Sequence, residues 1–153
     1  MDRIARLEAI EEIRKLKARY FRCMDMKLWD ELASVFTTDM KVITPEGAIY
    51  AHSGAEYAAS LRNSLESAVS CHQGLTGEIE IIDETSAKAI WAMQDVLEWP
   101  DRHPKQGWKS IVGRGHYHET YRLEDGAWRI ATLTLTRLRV DIVWPEGEGP
   151  GGG

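Results

Sequence analysis

The strongest helical pattern of the chain is the stretch Glu8-Ala-Ile-Glu-Glu-Ile-Arg-Lys-Leu-Lys-Ala-Arg-Tyr-Phe-Arg-Cys-Met-Asp25. Apolar residues recur in and just before it at steps of three and four, which places them on one face of an α-helix. This apolar face comprises Leu7, Ile10, Ile13, Leu16, Tyr20 and Cys23 or Met24. The other faces carry charged residues, namely Glu11, Glu12, Arg14, Lys15, Lys17 and Arg19. We therefore expect a long helix that covers a sheet and ends in the carboxylate of Asp25.

Two further segments are predicted to be helical before the long strands begin. A short apolar segment at residues 28–36 comes directly after the first helix. Ser53 and Glu56 have the spacing of a capping box, so a third helix is predicted to start there and to end near residue 67. Between these segments, residues 37–39 are predicted to form a turn, and residues 40–44 and 48–50 a short hairpin.

The rest of the chain alternates in the manner of β-strands. Predicted strands cover residues 69–73, 77–82, 87–99, 109–123 and 128–143. Helices followed by long antiparallel strands indicate an α+β fold with the helices on one face of the sheet. Strands well beyond the usual ~5–6 residues require a strongly bent or twisted sheet, and Gly113 and Gly115 are candidate bend points. A helix over the concave side of such a sheet leaves an interior pocket.

Composition restricts the class of protein. With 153 residues, 43% of them apolar, the chain has enough material for one domain, which we place at residues 1–144. The Gly- and Pro-rich residues 145–153 are predicted to be disordered. A net charge of −5 argues against nucleic acid as a partner. Without a membrane-length apolar run or a secretory core, we expect a cytoplasmic protein in which Cys23 and Cys71 are reduced core thiols.

Polar residues on apolar strand faces are candidate site residues, because burying them costs free energy unless they are paired. Asp95 shares a strand face with Trp91, Met93 and Trp99. It is either paired with an arginine at the sheet margin or, on a dry face, a protonated donor. His72 precedes Gly74 in a short strand and is either a general base or a structural histidine.

Basic residues on the late strands offer two further hypotheses. Arg137 and Arg139 share a predicted face of the last strand, where one of them either points inward as an anion partner or both face solvent. His116 and His118 share a strand face and are spaced to bind a metal ion together. A cupin-like site would need a glutamate at position 123, which is leucine, and Arg114 lies on the same face, so no metal is expected.

Four segments together resemble the SnoaL-like proteins of the nuclear transport factor 2-like superfamily. They are residues 10–36, Cys71-His-Gln-Gly74, Met93-Gln-Asp95 and Gly126-Ala-Trp-Arg-Ile130. The resemblance covers residues 5–143 and is greatest to the branch that includes scytalone dehydratase, bile acid 7α-dehydratase and lindane dehydrochlorinase. It implies a cystatin-like α+β cone, assembly into dimers or trimers, and chemistry without a cofactor.

The resemblance also implies roles for particular residues. His72 matches the histidine of a proton-abstracting His–Asp dyad, and Asp25 matches its aspartate. Tyr20 matches a tyrosine of the bile-acid branch, and Asp95 matches a second aspartate on the long central strand. The position of the dehydrochlorinase arginine is Leu133 here, so Arg137 is the nearest residue on the same face that could replace it. The candidate walls of the pocket are Phe36, Trp91, Met93, Trp99 and Trp108.

The sequence therefore predicts a lyase of the dehydratase type, or an isomerase, that acts on a hydrophobic cyclic substrate such as a steroid- or polyketide-like ring. The alternatives are a non-catalytic binding module of the same fold and a scaffold subunit of a larger oxygenase. A hydrophobic small molecule is the expected partner, and a homo-oligomer is the expected assembly.

Overall fold

The computed structural model of the chain describes residues 1–147 and 149. Within these residues, the helices are α1 (Arg3–Asp25), α2 (Trp29–Ser34) and α3 (Gly54–Leu65). The strands are β1 (Phe36–Ile43), β2 (Ile49–Ala51), β3 (Val69–Ile81), β4 (Ser86–Glu98), β5 (Ser110–Glu124) and β6 (Ala127–Val143).

The six strands of the described chain form one curled, unclosed sheet in the order β2-β1-β6-β5-β4-β3. Neighbouring strands are antiparallel, except that β1 runs parallel to β6. α1 packs against β3 and β6, and α3 packs against β1 and α2. The core lies between the inner face of the sheet and the helices. The predicted α+β cystatin-like cone, with helices on a bent and mainly antiparallel sheet, is confirmed.

α1 has a cap that the sequence analysis did not use. The Asp2 carboxylate accepts a hydrogen bond from the backbone N–H of Ala5 at 2.8 Å, and the helix continues to Asp25 as predicted. The prediction that Leu7 is buried is wrong, because its side chain is 57% exposed. At 3.6 residues per turn, Leu7 lies about 180° from the buried Leu16 around the helix axis.

The prediction that Lys17 faces solvent is also wrong. Lys17 lies about 40° from Ile13 around the axis, and only 2% of its side chain is exposed. Its Nζ donates to Oε1 of the fully buried Glu119 at 2.5 Å. Three aromatic rings lie 3.7 to 4.6 Å from this nitrogen, those of Tyr20, Phe21 and Tyr117.

The Lys17–Glu119 ion pair is the end of a buried chain of hydrogen bonds. Trp91 Nε1 donates to the Tyr121 hydroxyl at 2.8 Å, and that hydroxyl donates to Glu119 Oε2. Burial lowers the pKa of the Lys17 ammonium, and the charge and hydrogen bond of Glu119 oppose this shift without cancelling it. Because a buried charge is tolerated only when it is paired, each partner depends on the other.

Two predictions about the strands are wrong. Residues 37–39 do not form a turn but belong to β1, whose Phe36 pairs with Ile130 of β6. This pairing joins distant parts of the chain, which a local pattern does not reveal. Residues 69–73 and 77–82 are not separate strands either: β3 continues through an irregularity between Gly74 and Gly77. A Cβ at Gly74 would lie 2.4 Å from the Phe21 ring, so this glycine allows α1 to approach the strand.

The two cysteines differ in their surroundings. Cys23 is buried in α1, as expected, but Cys71 is exposed, so the prediction that both are core thiols is wrong for Cys71. Successive side chains of a strand point to opposite faces, and His72 takes the inner face of β3. Cys71 therefore points away from the core.

Two expectations concern the chain as a whole. None of the helices among the described residues is long and apolar enough to cross a membrane. The predicted disorder of residues 145–153 falls partly on residues 148 and 150–153, which lie outside the described residues. That expectation, and the assignment of residues 1–144 to one domain, stay predictions.

Replacing Lys17 by methionine should strongly destabilise the fold, because the Glu119 carboxylate would be left buried without its cation. We expect Lys17→Met to lower the free energy of unfolding by about 3–5 kcal/mol in urea titrations. Lys15→Met changes an exposed residue of the same helix and should shift it by less than about 0.5 kcal/mol. Equal effects of the two substitutions would contradict the structural role of the buried pair.

Candidate active site

Asp25, the last residue of α1, holds His72 of β3 by two hydrogen bonds. Its Oδ1 lies 2.6 Å from His72 Nδ1, and its Oδ2 accepts from the backbone N–H of His72 at 2.9 Å. Ser70 Oγ donates to Oδ1 at 2.9 Å and accepts from Lys27 Nζ at 2.9 Å. The predicted contact between Asp25 and His72 is therefore present.

These hydrogen bonds determine which ring nitrogen of His72 carries the proton when the ring is neutral. Burial alone would raise the pKa of the Asp25 carboxyl, but the hydrogen bonds from His72 and Ser70 outweigh it and lower this pKa below its usual value. An ionised carboxylate only accepts hydrogen bonds, so Nδ1 of the neutral imidazole carries the proton. The lone pair is then on Nε2, where it is available to a ligand. The Phe21 ring lies nearly parallel to the imidazole, at a centroid distance of 6.5 Å.

Asp95 forms an ion pair with Arg137 beside the dyad. It lies on the inner face of β4, as predicted, and pairs in register with His72 of β3. Arg137 donates to both carboxylate oxygens, at 2.9 and 2.8 Å. Only 2% of the Asp95 side chain is exposed, against 31% for Arg137. Asp95 is thus an arginine-paired acceptor and not the protonated donor that a dry face would have produced.

Gly113 of β5 makes this ion pair possible. It is the register partner of Asp95, and a Cβ at this position would lie 2.1 Å from Arg137 Nη1 and 2.2 Å from Asp95 Oδ1. The guanidinium therefore passes over bare backbone to reach the carboxylate. Burial would lower the pKa of Arg137, but the pairing with Asp95 raises it, so the cation is permanent.

A β-bulge decides which arginine faces the interior. The pairing of β6 with β5 skips Leu138, which inserts one extra residue between Arg137 and Arg139. The prediction that these arginines share a face is therefore wrong. Arg139 points outward, is 70% exposed and pairs with Asp141 at 2.7 Å. Arg137 alone of the two lines the cavity next to the dyad.

The cavity next to the dyad has a volume of about 180 Å³. His72, Asp95 and Arg137 line it, as do two of the predicted wall residues, Trp99 and Trp108. The other walls are mainly apolar and include Met24, Leu61, Leu65, Leu97, Ile111 and Leu135. The cavity therefore combines the His72 imidazole and one ion pair with walls that are mainly apolar.

Three of the predicted wall residues belong to the core and do not line this cavity: Phe36, Trp91 and Met93. Phe36 packs edge-on against the rings of Tyr20 and Tyr57. Trp91 is held by its hydrogen bond to Tyr121, and Met93 lies behind Arg137 with its sulfur 3.6 Å from Nη1. Their strand faces were predicted correctly, but position along the strand decides which residues reach the cavity.

Tyr20 does not line the cavity either, although it is fully buried in α1. Its hydroxyl lies 3.3 Å from the hydroxyl of Tyr57, which does line the cavity. Burial raises the pKa of Tyr20 well above its usual value and that of Tyr57 to about 12, so both stay protonated. Tyr57 was not among the residues predicted from the sequence to line the pocket.

Sequence reasoning also missed Tyr117 and His103 as residues of the cavity wall. Tyr117 follows His116 on β5 and points inward by strand alternation, a signal that was present but not used. His103 lies in the polar loop between β4 and β5, where no periodic pattern applies. Its position follows from the tertiary structure.

The histidine pair of β5 lies apart from this site. His118 Nε2 is within 3.1 Å of Thr136 Oγ1, and the rings of His116 and His118 are 6.4 Å apart. Among the described residues, no group of three or more histidine, cysteine or carboxylate side chains is placed to hold a metal ion.

A larger cavity of about 590 Å³ lies at His118, Lys88 and Thr134, and none of the predicted site residues lines it.

The chain belongs to the SnoaL-like domain family, whose pattern matches residues 5–134. A curated protein named "Probable cyclase FGR4" from Gibberella zeae is 28% identical over 141 residues, which cover 86% of this chain and 92% of that protein. The family membership agrees with the resemblance inferred from the motifs.

Solved structures share the fold at low sequence identity. The chain superposes on a hexachlorocyclohexane dehydrochlorinase, LinA type 2, with a TM-score of 0.79, 18% identity and 99% coverage of both chains. It superposes on a Novosphingobium aromaticivorans protein named "Putative Scytalone Dehydratase" with a TM-score of 0.75 and 19% identity, covering 95% of this chain and 97% of that one.

Adding a methyl group at position 113 should separate Arg137 from Asp95. In Gly113→Ala the new Cβ displaces the guanidinium, which is the end of a flexible side chain, so the fold should persist with a loss of about 1–3 kcal/mol. We expect Arg137 to react faster with phenylglyoxal than in the wild type, as measured by mass spectrometry of the peptide. Exposed Arg139 serves as the internal control, and an unchanged ratio of the two rates would contradict this geometry.

Proposed function

We propose that the protein is a cofactor-independent lyase of the dehydratase type, or an isomerase, acting on a hydrophobic cyclic ketone. The observation that carries the proposal is the 2.6 Å contact between Asp25 and His72 at the wall of an apolar cavity. This contact leaves Nε2 of His72 free to act as a base, while the ionised Asp25 carboxylate holds Nδ1 in place. The names of similar proteins, a probable cyclase, a dehydrochlorinase and a scytalone dehydratase-like protein, support chemistry of this kind.

The first step is removal of a proton from the carbon next to the carbonyl. Nε2 of His72 takes the proton, and the electrons of the C–H bond move toward the carbonyl oxygen to form an enolate. Asp25 stabilises the imidazolium that results. In a lyase, the enolate collapses, the bond to a hydroxyl on the next carbon breaks, and the imidazolium proton leaves with that hydroxyl as water. In an isomerase, the same proton returns at a different carbon.

Arg137 acts on this chemistry as a fixed positive charge. Two of its N–H groups are used by Asp95, so it contributes mainly through its charge, which stabilises the negative charge that develops on the substrate. Asp95 is a positioning residue, because its contact with Arg137 fixes the guanidinium. Tyr20 likewise acts through Tyr57, a residue that lines the cavity.

The size of the cavity favours the smaller of the two predicted substrate types. Pockets for drug-sized ligands usually have about 300–1,000 Å³, whereas this one has about 180 Å³. A polyketide-like ring system of one or two rings therefore fits better than a steroid.

The cytoplasmic location and the homo-oligomer remain predictions.

Turnover of a library of cyclic β-hydroxy ketones, followed by the absorbance of the conjugated product, tests the proposal. We expect His72→Gln to lower the rate on any active compound about 10²–10⁴-fold, because the base is lost, and Asp25→Asn to lower it in the same direction. Arg139→Gln changes the outward-facing arginine and should retain the wild-type rate.

Full turnover by His72→Gln would contradict the mechanism. Tight binding of a cyclic ketone by the wild type without any product would instead favour the non-catalytic binding module. A stable association with a much larger subunit on purification would favour the scaffold role.

A further inference from the structure

The loop at residues 100–109 contributes two aromatic residues, each with a side-chain N–H group, to the wall of the cavity. It joins β4 to β5, and its His103 and Trp108 both line the cavity that contains His72. The loop is closed on itself: the backbone N–H of His103 donates to the Trp108 carbonyl at 2.8 Å, and that of Gly107 donates to the His103 carbonyl at 3.0 Å. Its two aromatic side chains are therefore held in place by backbone hydrogen bonds.

The loop also fixes the tautomer of His103. Its Nδ1 accepts hydrogen bonds from the backbone N–H groups of Lys105 and Gln106, both at 3.0 Å. Because Nδ1 is an acceptor, it does not carry a proton. Burial lowers the pKa of His103, which keeps the ring neutral with its proton on Nε2. This Nε2–H makes no hydrogen bond to the described residues, although His103 is only 8% exposed.

Trp108 supplies a second unused donor. Its Nε1–H is buried and has no hydrogen-bond partner in residues 1–147 and 149. The indole packs edge-on against His103 at a centroid distance of 5.2 Å. Trp99, in the same wall, differs because its Nε1 donates to the Ser64 carbonyl at 2.8 Å. Since leaving a buried donor unpaired costs free energy, an orphaned N–H on a residue of the cavity wall points to an acceptor on the ligand.

We propose that His103 Nε2–H and Trp108 Nε1–H bind an uncharged acceptor oxygen of the ligand, the carbonyl of a cyclic ketone. Both donors are neutral, and Arg137, the cation in the cavity wall, is already paired with Asp95, so a carboxylate would be buried there without a matching charge. The catalytic part of this inference rests on the proposed function. When His72 removes the proton, negative charge develops on this oxygen, and the two donors stabilise it.

Binding of 1-tetralone and of tetralin tests the proposal by calorimetry. The two probes share a bicyclic skeleton and differ in one carbonyl, and neither has a leaving group. The wild type should bind the ketone more tightly than the hydrocarbon. Trp108→Phe removes one N–H and keeps a ring. His103→Asn places an oxygen near the former Nδ1 for the Lys105 and Gln106 amides and removes the Nε2 donor.

Each of these substitutions should lower the preference for the ketone about three- to tenfold, the effect of losing one hydrogen bond. Trp29→Phe is the control, because this tryptophan does not line the cavity and its Nε1 already donates to Glu66 Oε2 at 2.6 Å, so it should leave the preference unchanged. In infrared difference spectra, the carbonyl stretch of bound 1-tetralone should lie at lower frequency in the wild type than in Trp108→Phe.

Equal ketone preference in the wild type, Trp108→Phe and His103→Asn would overturn the proposal, as would a wild type that does not prefer the ketone. His72→Gln separates this outcome from the fate of the proposed function. It should keep the ketone preference, since His72 is not one of the two donors. Retained preference together with unimpaired turnover in His72→Gln would refute the dyad mechanism and leave the carbonyl site in place.

Discussion

The Asp25 carboxylate is the constraint on which the rest of the site depends. One oxygen accepts from the ring of His72 and the other from its backbone, so a single side chain joins the end of α1 to β3 and orients the imidazole. Because α1 covers the inner face of the sheet, this junction also closes one side of the cavity. The position of α1 and the tautomer of His72 are therefore coupled through two hydrogen bonds.

The second constraint is the way that β5 and β6 let Arg137 reach across the sheet. Gly113 leaves room above the backbone, and the bulge at Leu138 turns Arg139 outward. The Asp95–Arg137 pair then lies next to His72. The site thus combines a histidine held by Asp25 with a fixed cation, and burying the charge of Arg137 is possible only because Asp95 balances it.

Local patterns were sufficient for the parts of the site that lie on regular elements. Asp25 at the end of a periodic helix, and Asp95 on an alternating strand, could be placed from the sequence because their spacing fixes the face that they occupy. The position of Lys17 was mispredicted because its charge was given more weight than its angle around the helix. The bulge at Leu138 depends on the pairing of two strands, and the loop around His103 follows no periodic pattern, so no local period records either of them.

The tautomer of His72 is the most direct test of the central claim. ¹⁵N NMR of histidine-labelled protein, at a pH where the ring is neutral, distinguishes the two forms, and His72→Gln assigns the signal among the five histidines of the chain. The account predicts a proton on Nδ1 and a free lone pair on Nε2, with this preference lost in Asp25→Asn. A neutral ring protonated on Nε2 in the wild type would contradict it.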